Sequence, residues 1–145
     1  MTTTFLSNAT INITQGVTTT DLSDQANAVT IEVGFDALES TAFSATTPAG
    51  RRFTQGLQMV NVTIEFFLSY GAAEVEGILN SCVGTGTTTL VISPSGTTES
   101  ATNPEYTIAN CMLSSFTPIN STVGELATLT ATFTGGTWVR DVTSP

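Results

Sequence analysis

Two stretches of two-residue alternation constrain this chain more than any other feature. In the first, Val29, Ile31, Val33 and Phe35 fall on one side of an extended chain and Thr30, Glu32, Gly34 and Asp36 on the other. In the second, from Gly56 to Leu68, the residues Val60, Val62, Ile64, Phe66 and Leu68 alternate with Asn61, Thr63 and Glu65. Successive side chains of a strand point to opposite faces, so a period of two is the mark of a strand buried on one face only. A helix would scatter the same apolar residues around its circumference. The two stretches are therefore expected to pair in one sheet, apolar toward a core and polar toward water. Thr supplies about one residue in five, and it favours the same pleated, half-buried surface.

The remaining segments fit around that pair. Thr87 to Ser93, Glu105 to Phe116 and Gly124 to Phe133 also read as strands, set apart by turn clusters at Pro94-Ser95-Gly96, Asn103-Pro104 and Pro118 to Thr122. In the last of them Ala127, Leu129, Ala131 and Phe133 alternate with Thr128, Thr130 and Thr132. Ala72, Val75, Ile78, Leu79 and Cys82 recur at helical spacing and predict one helix over 72–81, with Glu74 and Glu76 near its positive end and Gly84 ending it. Gly77 inside that helix costs about 1 kcal/mol relative to Ala. Asp21 to Gln25 reads as a single helical turn capped by Asp21. Residues 1–17, anchored by Phe5, Ile11 and Ile13, read as an N-terminal arm or edge strand, and residues 135–145 as a C-terminal arm. Residues 44–55 are polar, contain Pro48 and Gly50, and make a connection long enough to imply a task of its own. A chain of 145 residues suits one core, so 1–145 is expected to be a single domain.

Charge removes several classes of function. The formal net charge is −9, there is no Lys and no His, and the only cations are Arg51, Arg52 and Arg140. Affinity for nucleic acid comes mostly from neutralised phosphates, so no DNA-gripping surface is expected. The commonest general bases and Schiff-base nucleophiles are missing, and Glu74 and Glu76, two residues apart on a helix, diverge. The glycines of Gly84 to Thr89 lead into a strand without a Lys-Ser/Thr, so they form a turn and no phosphate loop. Neither an enzyme, a cofactor nor a metal site is expected. Cys82 and Cys111 lack the spacing of a zinc site and form the only possible disulfide pair, which would suit a secreted domain; two free, largely buried thiols are the other reading and the expected one. Asn-x-Thr/Ser sequons at Asn8, Asn12, Asn61 and Asn120 follow from the Thr content, and Asn61 lies within an expected strand. The first residues lack a positive leader and an apolar run, and no segment approaches the ~20 apolar residues of a membrane span, so neither export nor a membrane is expected.

Five short pieces occur in a fixed order: Asp21-Leu22-Ser23 before the first alternating strand, Glu39-Ser40-Thr41-Ala42-Phe43 leading into the long loop, an Arg and then Gly56-Leu57 entering the second, Asn103-Pro104-Glu105-Tyr106, and Val123-Gly124-Glu125-Leu126-Ala127. Together, from about Asp21 to Thr143, they resemble the major tail tube protein of long-tailed bacteriophages and related tailed viruses. The resemblance implies a mainly β fold, a tail-tube-type β-sandwich or partial barrel with one flanking helix, a long inter-strand loop and extended terminal arms. It also implies six copies in a ring, rings stacked into a hollow tube, and viral DNA passing through the lumen without specific binding. Partners would be further copies of the chain and other tail proteins: a ruler, a terminator, and a baseplate or tip. The place implied is the virion tail, assembled in the host cell cytoplasm.

Within that reading Thr30, Glu32, Thr63 and Glu65 are the candidates for the lumen wall, because an acidic surface keeps a polyanion mobile. Thr47, Pro48, Arg51, Arg52 and Phe53 are the candidates for contact between subunits, adjacent arginines in an acidic protein inviting a neighbour's carboxylates. A tube protein of a type VI or other contractile injection system is a second reading. An extracellular adhesion or carbohydrate-binding sandwich is a third, which the Thr content permits.

Overall fold

The computed structural model describes residues 8–41, 50–96 and 98–143. Its strands are β1 (Thr10–Gln15), β2 (Thr18–Asp21), β3 (Ala26–Glu39), β4 (Phe53–Phe67), β5 (Thr88–Ser93), β6 (Glu105–Phe116), β7 (Thr128–Thr134) and β8 (Thr137–Asp141). A 3-10 turn (Ser23–Gln25) precedes β3, and the α-helix α1 (Val75–Cys82) follows β4. The spatial order is β2-β1-β5-β6-β7-β4-β3, with β8 also paired to β6, and every pairing is antiparallel. The protein is mainly β, as its alternation requires.

β6 belongs to two sheets. Its first half pairs with β5 and β8, completing sheet A with β1 and β2. From Met112 to Phe116 it pairs with β7, which continues through β4 to β3 as sheet B. Ile11, Ile13, Leu90, Ile92 and Ile108 from sheet A share one buried cluster with Val60, Val62, Ile64, Phe66, Leu129 and Phe133 from sheet B. Burying a side chain of this size stabilises by about 1.5–3 kcal/mol, so this cluster, and no single element, sets the stability. α1 adds Val75, Leu79 and Cys82 to it, all fully buried.

The helix begins three residues later than its spacing predicts, because Ser69 occupies its start. The Ser69 carbonyl accepts from the Glu76 amide at 3.1 Å, and the Ser69 hydroxyl accepts from the Val75 amide at 3.3 Å. A Cβ at position 77 would run into the carbonyl of Gly71, so Gly77 is what lets this turn close against the helix.

Three expectations for the ends and the loop are corrected. Residues 10–15 are neither an arm nor an edge: β1 lies between β2 and β5, with Ile11 and Ile13 buried. The C-terminal arm expected over 135–145 contains β8, whose five residues pair with Glu105–Ala109. Phe53, Thr54 and Gln55, expected in the long loop, are the first residues of β4 and pair with Glu39, Leu38 and Ala37. Of that loop, residues 44–49 lie outside the described residues.

The passage from β7 to β8 depends on backbone that only glycine adopts freely. Gly135 and Gly136 have φ of 87° and 86°, and across the ladder Asn110 of β6 has φ of 59°. The chain thus turns from sheet B to sheet A on both strands at one level. A Cβ on Gly136 would also meet the carbonyl oxygen of Ala109. Gly136→Ala should therefore lower stability by at least ~1–3 kcal/mol, the cost of holding a non-glycine residue in this region. Gly34→Ala, where the same atom meets open space at ordinary φ, should be neutral or slightly stabilising. Urea unfolding of the two variants beside wild type checks the contrast.

Candidate functional site

The face of sheet B turned away from the core is mostly polar, with Phe67 of β4 and Met112 of β6 as exposed apolar residues on it. Thr30 stands directly opposite Thr63, and Glu32 opposite Asn61. On the other side of β4, Asn61, Thr63 and Glu65 face Thr134, Thr132 and Thr130 of β7. Ser114, in the bulge of β6, donates to the Thr132 carbonyl at 2.9 Å and is bonded by the Thr134 hydroxyl at 3.1 Å. Thr30, Glu32, Thr63 and Glu65, which alternation alone places on a polar face, are thus brought onto one surface. Sequence reasoning did not include Ser114, Thr130, Thr132 or Thr134, although the Thr alternation of β7 was the available signal.

This surface carries no cation among the described residues. Arg51 and Arg52 lie at the far end of the β3–β4 pair, and Arg140 lies on β8 in sheet A. Glu32 and Glu65 do not form an acid pair: four residues of ladder separate their positions, which is roughly 14 Å with the inter-strand step included. Glu65 instead accepts from the Asn27 side chain at 3.1 Å. What the face can do chemically is present hydroxyls, amides and spaced negative charge.

Sheet B is open at both sides. β3 ends the strand order, so its outer edge has no partner among the described residues along fourteen positions. β6 pairs with β7 on one side from Met112 onward, while β5 reaches only as far as Cys111 on the other. Backbone groups on such edges are unpaired and seek another strand.

Beyond Val60, β3 and β4 run on together as a two-stranded hairpin, since β7 pairs with β4 only from Asn61. Phe35, Leu38, Phe53, Leu57 and Met59 are exposed there. Arg51 contacts Glu39 at 4.0 Å with both side chains in solvent, a pairing worth about 0–1 kcal/mol. The Arg52 amide donates to the Thr41 hydroxyl at 2.9 Å. Thr47 and Pro48 lie outside the described residues.

Elsewhere the chemistry is quiet. Both cysteines are free and buried, and burial raises both thiols, Cys111 to about 11, so neither supplies a thiolate at neutral pH. Glu74 accepts from Gln25 at 2.8 Å, tying the 3-10 turn to the helix. No group of three or more metal-ligating side chains occurs among the described residues, and none of their helices is long and apolar enough to cross a membrane. One acidic cluster does stand out: Glu105 sits directly across from Asp141. Partial burial raises the Glu105 carboxyl, helped by its hydrogen bond with Glu99 and by the charges of Glu99 and Asp141. Asp141 is lowered, because the amide and hydroxyl of Thr143 both donate to it at 2.9 Å.

No family model matches the sequence, and no curated protein matches it. The fold, however, is shared with solved structures. A chain of the sheath/tube terminator of the extracellular contractile injection system PVC, in the extended state, superposes with a TM-score of 0.66 at 14% identity, covering 97% of this chain and 98% of that one. A chain of the PVC sheath–tube complex gives 0.63 at 14%, covering 94% and 89%. A chain of the native gene transfer agent virion gives 0.63 at 10%, covering 90% and 95%. At such identities the likeness is one of fold, and the fold is of the tail-tube type over nearly the whole chain.

The crowding of Glu105 makes stability depend on pH in a defined direction. Its pKa in the folded chain is raised above the ordinary 4.5, so the folded state holds the proton more tightly than the unfolded one. Stability is therefore greatest below that range and falls as pH rises through it. Glu105→Gln removes the charge, and should raise the melting temperature at neutral pH with a gain that shrinks toward zero below pH 4.5. Thermal melts of the two proteins at both pH values measure it.

Proposed function

We propose that this protein is the structural subunit of a tail tube, in which copies associate side by side into rings of six and the rings stack around a central channel. Sheet B carries this reading. It has a cation-free polar face, an apolar face buried in the core, and two open edges, so a neighbour's β3 can continue the ladder at Met112–Phe116 of β6. Repeated around a ring, four strands from each copy close into a barrel, and closure removes the edges that an isolated subunit leaves unpaired. The fold shared with chains of tube-containing particles supports the same reading.

The polar face then becomes the wall of the channel. DNA leaving a capsid must slide without being held, and fixed negative charge within a Debye length of ~8–10 Å repels phosphate from the wall. Glu32 and Glu65 supply that charge, and Thr, Ser and Asn supply a hydrated surface between them. Terminator and baseplate proteins would meet the two ends of the stack, with the virion tail as its place and no enzymatic step required. A second reading is the tube of a contractile injection system, which the likeness to the PVC chains supports. In that setting the same wall would carry other cargo, and DNA in purified particles separates the two.

Negative-stain microscopy of assembled material should show rings or hollow tubes. The wall is tested by Glu32→Lys with Glu65→Lys in one chain, which replaces repelling rings of charge with attracting ones. Assembly should survive, because both positions lie outside the core. Ejection of DNA from such virions should slow, and more at low salt than at high salt, because phosphate contacts weaken as salt rises. Intact tails ejecting at wild-type rate at both ionic strengths would show that this face does not see the channel.

A further inference from the structure

Among the described residues, the far end of the β3–β4 hairpin is a long paired element that the subunit's own core does not use. Phe53 and Leu57 are 58% and 80% exposed, and Arg51 and Arg52, two of the three cations in the chain, directly precede Phe53. Toward the start of β3 an apolar notch of about 150 Å³ opens between the sheets, lined by Val29, Ile31, Ile92, Pro94 and Tyr106. It is too small for a cofactor or metabolite, whose sites run to ~300–1,000 Å³, and suits a single side chain. Ser93 lines both this notch and an adjoining polar cup where Asp21, Glu99 and Glu105 converge. Asp141 adds a fourth carboxylate opposite Glu105, and the cation on this side is Arg140, across from Tyr106.

Donor and acceptor sit at opposite ends of one strand. Eight residues of β3 separate Ile31 from Glu39, the partner of Phe53, a span of roughly 27 Å. A subunit cannot fold its hairpin back onto its own notch across that ladder. A second copy displaced along the strand direction can receive it. We propose that Phe53 of one copy seats in the notch between Ile31, Ile92 and Tyr106 of the next, while Arg51 and Arg52 lie against its Asp21, Glu99 and Glu105. The contact joins two different surfaces, so it repeats from copy to copy without closing on itself, as stacking requires. Its opposed charges set register and suppress misaligned docking. This inference rests on the tube reading above and adds the surface that receives the hairpin.

Charge reversal tests it. Arg51→Glu with Arg52→Glu should cut the yield of tubes at least ~10-fold, since like charges would then face each other across the joint. Adding Glu99→Arg and Glu105→Arg to the same chain should restore the yield to within ~3-fold of wild type, the coupling expected of residues in contact. Circular dichroism and thermal melts of each variant establish that the subunit is folded. Independently, tubes of a chain carrying Phe53→Cys and Pro94→Cys should give disulfide-linked ladders on oxidation, and neither single substitution should. Normal assembly after the first reversal, a folded but unrescued fourfold variant, or tubes that do not cross-link each overturn this contact while leaving the tube reading intact. Wild-type protein that forms neither rings nor tubes overturns the tube reading, and this contact with it.

Discussion

The backbone of a strand carries a donor and an acceptor at every residue, and in a sheet of finite width the two outermost strands leave half of theirs unmatched. That constraint organises this molecule. Sheet A manages it with β2, an edge of only four residues, and with β8 laid along β6. Sheet B manages it less: β3 offers fourteen residues of outer edge without Lys or Pro, defended by the carboxylates Glu32, Asp36 and Glu39 and by irregularities of register at Ala26–Ala28 and Phe35–Ala37. Natural edges of this length are usually blunted by charge, proline or a covering loop. An edge this long is suited to pairing with a neighbouring strand.

The core supports that arrangement by fixing which face each strand presents. Because Val60, Val62, Ile64 and Phe66 are locked inward, Asn61, Thr63 and Glu65 have no freedom to choose another side. A slip of one residue would reverse every side chain of β4, burying two polar groups and a carboxylate at a cost far above any edge contact. Register set by burial therefore also sets the chemistry of the outward surface. The helix plays a lesser part, filling one end of the core through Val75 and Leu79.

How much of this could be read beforehand follows from where burial leaves a trace. The pairing of β3 with β4, the helix and the inward residues of β7 were legible, because each packs one face on the core and so shows a period. The strand character of Phe53–Gln55 was not, since a hairpin projecting beyond the core has no reason to alternate. β1 carries only Ile11 and Ile13 as apolar signals, and its interior place depends on pairing with β5, some eighty residues on. β8 follows two glycines that read as an ending but make a corner. For the candidate site, the polar residues of β3 and β4 were visible in the alternation. The convergence of Glu99, Glu105 and Asp141 was not, because it needs the register of β6 against β8, which no local pattern encodes.

β6 is stitched into both sheets, with hydrogen bonds to β5 and β8 over one half and to β7 over the other. Widening sheet B would pull on the same covalent chain that anchors sheet A, across the corner at Asn110, Gly135 and Gly136. A hollow cylinder made of such units would thus resist pressure from within through hoop tension carried on main-chain bonds. Its bore would stay constant while the joints between successive layers remained free to bend.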